Sequence, residues 1–332
     1  MRCLVIGGSG FIGTRFVQRL RLRSDFDIKI IDKVASKSFP DLTSLVDVRS
    51  IKELRECASL VHDSVIVHLA AEHRDDVSEL NLYEDVNVGG ARNICTIASE
   101  RRINKIIFTS SVAVYGFAPI GTNESGKIAP FNEYGRTKYE AELVFKAWQA
   151  EFPDKRSLII IRPTVVFGER NRGNVFNLLR QIASGKFVMV GDGLNRKSMS
   201  YVENVAAFLE YSLDFKPGIH IFNYIDKPDF TMNSLVSHVS EVLNKSVNIK
   251  FRIPFSLGIL LGSVFDLVAR ITGKKFSISA IRVKKFCANS VYESAIAPTS
   301  FVPPVPLIAA IEKTVHFEFI ENHRAEEIFY SE

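Results

Sequence analysis

The chain has 332 residues, 46% hydrophobic and 24% charged, with 42 Lys and Arg against 37 Asp and Glu. That length holds a substantial core, as one large domain or two joined lobes, and the mix excludes collagen, a disordered chain and a repeat array. A net charge of +5, scattered along the chain, does not argue for a nucleic-acid partner.

Residues 2–6 read as a buried parallel strand, entered after a single arginine, so no secretory leader is expected. Gly7, Gly8, Ser9, Gly10, Phe11, Ile12 and Gly13 follow, then a helix to about Leu22. Glycines at this spacing allow a tight turn, close approach of backbone to a pyrophosphate, and close packing of helix on sheet; the helix N-terminus adds donors and positive potential. A second strand at Ile28–Ile31 ends at Asp32. An acid there accepts hydrogen bonds from adenosine ribose hydroxyls and repels a 2′-phosphate, which favours NAD over NADP. Asp47 follows another short apolar stretch and reads equally as a contact for the adenine end or as a solvated strand terminus.

Further strands are expected at Val65–Leu69, Lys105–Thr109 and Ser157–Ile161, and helices near 82–100, 134–150, 175–183 and 202–213. Short buried runs alternating with helical periodicity predict an α/β fold, a Rossmann-type parallel sheet with helices on both faces. Proline, glycine and asparagine between 116 and 132 mark the loop that leads to the helix beginning at Tyr134. The four cysteines, Cys3, Cys57, Cys95 and Cys287, form no Cys-x-x-Cys pair and are expected as buried thiols in a reducing compartment.

Tyr134 and Lys138 stand one helical turn apart, so phenol and ammonium share a face. A nearby cation and a bound nicotinamide both favour the phenolate, drawing its pKa from about 10 toward neutrality. Such a tyrosine takes a proton from an alcohol while hydride passes to the cofactor. Thr109, Ser110 and Ser111 close a predicted strand at the end where open α/β sheets bind ligands, and Ser111 is placed to relay between substrate hydroxyl and Tyr134. The seven histidines show no ligand spacing with carboxylates or cysteines, so no metal is expected. A serine-hydrolase elbow is also missing, since Gly8-Ser9 lies inside the glycine loop.

In the second half, residues 253–271 are apolar but interrupted by Pro254, Asp266 and Arg270. They make a poor membrane span and a better interfacial helix, with Leu257, Leu260, Leu261, Val264 and Val268 near one face. Arg270, Lys274, Lys275, Arg282, Lys284 and Lys285 follow closely, which suits an anionic bilayer surface. The plainer reading is a helix buried against the sheet with its basic residues facing solvent or a diphosphate.

Taken together, Gly7-x-x-Gly10-x-x-Gly13, His68-Leu-Ala-Ala71, Asn87-Val-x-Gly-x-x-Asn93, Ser110-Ser-x-x-Val-Tyr-Gly116, Tyr134-x-x-x-Lys138 and Arg162-Pro163 resemble the extended short-chain dehydrogenase/reductase family, in its nucleotide-sugar epimerase/dehydratase branch. The resemblance implies an NAD-binding Rossmann domain over 1–165, with later segments returning to the sheet, and a smaller substrate domain over 166–332, paired as a homodimer. It assigns Ser111 as relay, Tyr134 as acid/base and Lys138 as its partner. Cofactor contacts then fall on Gly7, Gly10, Phe11, Ile12, Gly13, Asp32, Asp47, Val48, Leu69, Ala70, Ala71, Asn87 and Lys138. Stretches at Leu69–Val77, Arg162–Asn174, Ile271–Lys275 and Arg282–Ala288 are similar to a subgroup serving bacterial O-antigen assembly. That likeness implies a lipid-linked diphosphosugar substrate, N-acetylglucosamine on diphospho-undecaprenol, epimerised at C4 through a transient 4-keto sugar on the cytoplasmic side of the inner membrane.

Many soluble members of the branch have Arg-Asp-Phe before Tyr/His-Val near the substrate diphosphate, where this chain has Lys197-Ser-Met-Ser-Tyr201-Val202. Lysine neutralises phosphate without the bidentate fork of arginine. Arg170, Arg172 and Arg196 are the further diphosphate candidates, each equally readable as a surface arginine, and Phe286, Cys287 and Ala288 are expected to line the sugar pocket. Competing readings are a soluble UDP-GlcNAc 4-epimerase, a 4-keto-sugar reductase using exchangeable NADH, and a non-catalytic NAD-binding sensor.

Overall fold

Runs of isoleucine, valine and leucine bounded by turn residues become the strands of a parallel sheet, because such strands are apolar on both faces and need helices over each. The computed structural model describes residues 1–57, 64–73, 79–245, 252–272, 279–323 and 327–330. Expectations that fall on His62, residues 74–77, Lys274 and Lys275 lie outside the described residues.

The main sheet has seven parallel strands among the described residues: β1 (Arg2–Ile6), β2 (Asp27–Asp32), β3 (Thr43–Leu45), β4 (Ser64–His68), β5 (Lys105–Thr109), β6 (Ser157–Pro163) and β10 (Gly218–Tyr224). Their spatial order is β10-β6-β5-β4-β1-β2-β3. Strand order reverses between β1 and β4, and the crevice at their carboxyl ends is where this architecture receives ligands. One face is covered by α2 (Ile51–Glu56), α4 (Gly90–Glu100) and α5 (Glu133–Ala150), and the core there includes Leu54, Ile94, Ile97, Phe108, Phe145 and Trp148. The other face carries α1 (Phe11–Leu20) and α7 (Val202–Tyr211), packed on each other and on the sheet through Phe16, Leu20, Val205 and Phe208. A short helix α3 (Asn81–Tyr83) and a π-helical turn over Glu84–Gly89 run straight into α4.

The rest of the second half builds a separate core around Phe167, Leu179, Met199, Tyr201, Leu235 and Ile311. It comprises a sheet of β7 (Val165–Phe167), β9 (Arg196–Tyr201) and β11 (Asp226–Thr231), with α6 (Asn174–Ala183), α8 (Met232–Val242) and α11 (Leu307–Phe319). A two-stranded pair of β8 (Met189–Val190) and β12 (Arg252–Ile253) leads into α9 (Phe255–Thr272), followed by α10 (Ala280–Cys287).

Most expected elements appear with ends moved by one or two residues. The helix expected to reach Leu213 stops at Tyr211 and tightens into a 3-10 turn over Ser212–Asp214. The apolar segment expected over 253–271 forms α9, and it is not buried against a sheet. Its buried residues are Gly258 and Gly262, lying against Val190, Val283 and Ala280, while Leu260, Val264, Leu267 and Ile271 are all more than half exposed.

Where β5, β6 and α5 meet, Glu142 is fully buried and accepts hydrogen bonds from Arg162 at 2.8 and 2.6 Å and from the Ser110 hydroxyl at 2.6 Å. Removing one partner of a buried pair strands the other charge. Glu142→Ala is therefore expected to cost about 3–5 kcal/mol of stability, against a smaller loss for Glu142→Gln, in urea unfolding.

Candidate active site

The glycine loop lies between β1 and α1, at the switch point of the sheet. Gly7 has φ of +79°, and a Cβ on it would sit 2.4 Å from the Ala70 nitrogen. The loop thus closes directly onto the Leu69-Ala70-Ala71 segment, whose Leu69 and Ala70 amides both donate to the Ile6 carbonyl. Over Gly10 the space is open: a Cβ there would meet only the Gly7 oxygen, at 3.4 Å. Gly10 also begins α1 with no side-chain cap and no acid in the first turn, so the terminal N–H groups and the positive end of the helix face that opening. These are the features a pyrophosphate requires.

Asp32 ends β2 and accepts from the backbone N–H groups of Ser9 and Val34 at 3.1 and 3.2 Å, which ties its carboxylate to the glycine loop. Asp47 pairs with Arg49 at 2.7 Å, and hydrogen bonds from that guanidinium hold its carboxyl below the usual range. Val48 is buried against Gly90. Asn87 is buried too: its carbonyl accepts from the Glu72 N–H at 2.9 Å, and its amide donates to the Glu72 carbonyl and the Thr137 hydroxyl, each at 3.0 Å. Asn87 therefore ties the 69–72 segment to the helix turn bearing Lys138.

The three hydroxyls at the end of β5 separate in role. Thr109 donates to the His68 carbonyl and Ser110 to Glu142, while Ser111 caps the 3-10 turn Val112–Tyr115 and hydrogen-bonds the Tyr134 phenol. Asn132 caps α5 by accepting from the Gly135 N–H at 3.0 Å. Gly135 is what lets α5 approach the Ser111 turn, since a Cβ there would lie 2.5 Å from the Ala113 oxygen. Ser111, Tyr134 and Lys138 are thereby gathered at the carboxyl edge of β5, beside the glycine loop's side of the sheet.

Burial dominates the electrostatics of the chain alone. Surrounding protein pushes the Tyr134 phenol up to about 12, and the Ser111 hydrogen bond only partly offsets this. Lys138 is almost fully buried, with its ammonium 4.3 Å from the centre of the Phe108 ring. Burial drives its pKa down to about 7, with Glu142 one turn on pulling the other way. His68, stacked on Phe108, is held neutral by burial, with Lys138 adding to the effect, and falls to about 3. The protein alone thus keeps the phenol protonated; a phenolate needs further positive charge beside it.

The proposed diphosphate residues are dispersed. Arg172 pairs with Glu318 of α11 at 2.9 Å and lies over the Phe176 ring, and the Arg170 N–H donates to the same Glu318 carboxylate. The Lys197 ammonium donates to the carbonyls of Lys285 and Ala288 at 2.8 and 2.6 Å, so it anchors the end of α10, and burial lowers it to about 8. Arg196 is exposed on β9 near Asn289 and Ser290. Cys287 and Ala288 line a cavity of about 340 Å³, whereas the Phe286 side chain packs into the second core. Two aromatic residues that sequence reasoning passed over, Phe117 and Phe131, flank the loop into α5 and stack at 4.7 Å, with Lys284 and Lys285 above them. Their position beside Gly116 and Asn132 was the available signal.

Residues 3–223 match the model of the NAD dependent epimerase/dehydratase family. The chain belongs to that family. It is 46% identical over 331 residues to the N-acetyl-alpha-D-glucosaminyl-diphospho-ditrans,octacis-undecaprenol 4-epimerase of Escherichia coli O157:H7, covering 99% of this chain and 98% of that one. Identity with the UDP-glucose 4-epimerase of Vibrio cholerae is 28% over 285 residues, covering 81% and 85%. The fold is shared with the UDP-glucuronic acid 4-epimerase of Bacillus cereus in complex with NAD, at a TM-score of 0.73 and 18% identity over 96% of this chain and 98% of that one. It is shared as well with the Thermotoga maritima UDP-glucose 4-epimerase, at 0.75 and 20% over the same shares.

Lys138 yields a prediction with a definite sign. Its folded pKa of about 7 lies below the ordinary 10.5, so between those values the unfolded chain holds a proton the folded chain has released. Stability should rise with pH across that window, relative to Lys138→Met, in urea midpoints measured on both proteins; a flat difference would contradict the assignment.

Proposed function

We propose that this protein is an NAD-dependent 4-epimerase interconverting N-acetylglucosamine and N-acetylgalactosamine on diphospho-undecaprenol, for O-antigen assembly. The observation that carries this is the 46% identity spanning 99% of this chain and 98% of the E. coli protein, beside 28% over 81% for a nucleotide-sugar epimerase. The open glycine loop, the uncapped α1 terminus and Asp32 suit NAD, with Gly7, Gly10, Phe11, Ile12, Gly13, Asp47, Val48 and residues 69–71 around it. Bound NAD supplies the positive charge beside Tyr134 and the reversible acceptor for the C4 hydrogen.

Tyr134 then takes the O4 proton through Ser111 and later returns it to O4, once the 4-keto sugar has presented its other face for return of the C4 hydrogen. Lys138 contributes its ammonium to the same neighbourhood and holds the cofactor ribose. Asn87 acts by bracing, since its polar atoms engage Glu72 and Thr137. Between the two proton transfers the planar 4-keto sugar must turn over, so the substrate is gripped at the diphosphate and left loose at the ring. Purified protein given GlcNAc-diphospho-undecaprenol and UDP-GlcNAc separately, without added cofactor, is expected to convert only the lipid-linked sugar. Conversion of the UDP-sugar alone selects a soluble nucleotide-sugar epimerase, and a requirement for stoichiometric NADH selects a reductase.

A lipid-borne substrate places the enzyme at the membrane surface. The 18-residue α9 has a mean hydropathy of 1.6 and is long and apolar enough to cross a bilayer, yet only 11% of it is buried. Asp266 accepts from the Ala280 N–H at the start of α10, a tie to the protein that favours reading α9 as an interfacial element. Exposed Arg270 on α9 and Arg282 on α10 suit anionic headgroups. Leu260→Asp with Leu267→Asp is expected to abolish cosedimentation with phosphatidylglycerol-containing vesicles while NAD content stays constant. Undiminished sedimentation would remove α9 from the membrane reading.

A further inference from the structure

We infer that the cavity between β8, α9 and α10 is the binding site for the first isoprene units of the substrate's lipid, with Lys284 and Lys285 receiving the diphosphate at its mouth. This rests on the lipid-linked reading above and adds to it the route by which the lipid leaves the active site.

Three connected observations support the inference. The cavity, of about 340 Å³, is lined by Val190, Gly191, Phe255, Cys287 and Ala288, with Asp192, Asn195 and Lys284 as polar members. That volume is near the lower end of small-molecule sites, roughly 300–1,000 Å³, enough for a short piece of hydrocarbon and far too little for a whole polyprenol. At one end Lys284 faces the catalytic loop: its ammonium is 5.0 Å from the Phe117 ring, Lys285 is 5.0 Å from the Phe131 ring, and Phe131 stands three residues before Tyr134. At the other end Phe255 is the first residue of α9. From there the exposed side chains of Leu257, Leu260, Leu261 and Val264 continue the apolar surface outward.

The sequence of environments is therefore acid/base, cation, apolar cavity, apolar helix face. A sugar joined through a diphosphate to a long hydrocarbon presents the same order of chemistry, whereas a nucleotide would bring a polar base and ribose to the cavity. The dispersal of the other cations strengthens the assignment. Arg172 is paired with Glu318, and Lys197 is spent on carbonyls of α10, where it fixes the helix that carries Lys284 and Lys285. Asp192 also lines the cavity, and its carboxylate accepts from the Leu194 N–H within its own turn. Burial also pushes the Cys287 thiol up, leaving it uncharged against hydrocarbon.

The test uses NAD-loaded protein and GlcNAc-diphospho-farnesol carrying a diazirine on its first isoprene unit. After irradiation, labelled peptides are expected to contain residues 188–195 or 284–289, and GlcNAc-diphospho-undecaprenol is expected to compete the label away. Label that is competed but maps elsewhere overturns the cavity while leaving the lipid-linked reading intact. Label that only UDP-GlcNAc competes overturns both. Lys284→Ala and Cys287→Trp should each raise the apparent KM for the lipid-linked sugar about tenfold or more, the loss of one charge-assisted contact or of the cavity itself, with kcat and NAD content held. A fall in kcat at unchanged KM would overturn the assignment.

Discussion

The site depends on one buried carboxylate. Glu142 sits where β5, β6 and α5 converge, and it is neutralised by Arg162 on β6 while accepting from Ser110 on β5. Those contacts set the height of α5 over the sheet, and α5 carries Lys138 one turn and Tyr134 two turns earlier. Arg162 extends the network, donating to the Tyr115 hydroxyl at 2.6 Å, and Tyr115 in turn donates to Asn223 on β10. Buried charge of this kind adds little net stability, because desolvation offsets most of the attraction. Its effect here is positional: Ser110 points inward to Glu142, and its neighbour Ser111 is left at the Tyr134 phenol.

The same arrangement explains why the two titrating groups depart from solution behaviour in opposite directions. Phenol and ammonium are both packed in protein, and burial disfavours the charged form of each, so the tyrosine rises and the lysine falls. A surface-exposed pair would sit near its ordinary values and respond weakly to an arriving cation. A pair held in low dielectric responds strongly, since charge–charge interactions there are poorly screened. In the chain alone the phenol keeps its proton, while the lysine gives its own up near neutrality.

Much of this was legible in the sequence. Short continuous apolar runs marked the parallel strands, and the glycine spacing marked the phosphate turn, because those patterns follow from burial on both faces and from local sterics. Tyr134, Lys138 and Ser111 were legible for a related reason: one helical turn and one strand end locate them before any long-range contact is known. The partners of the basic residues were not. Arg170, Arg172 and Lys197 looked available in one dimension, but Glu318 lies 146 residues beyond Arg172, and the carbonyls that occupy Lys197 come from a helix 88 and 91 residues on. Short strands such as β8 and β12, two residues each, carry no periodicity to read, and the cavity beside β8 was invisible for that reason.

Asn87 has one more consequence. Its amide spans from the strand-end segment that follows β4 to Thr137, the residue immediately before Lys138. That one buried side chain braces the segment beneath the glycine loop against the helix that bears the lysine, so neither can shift without the other.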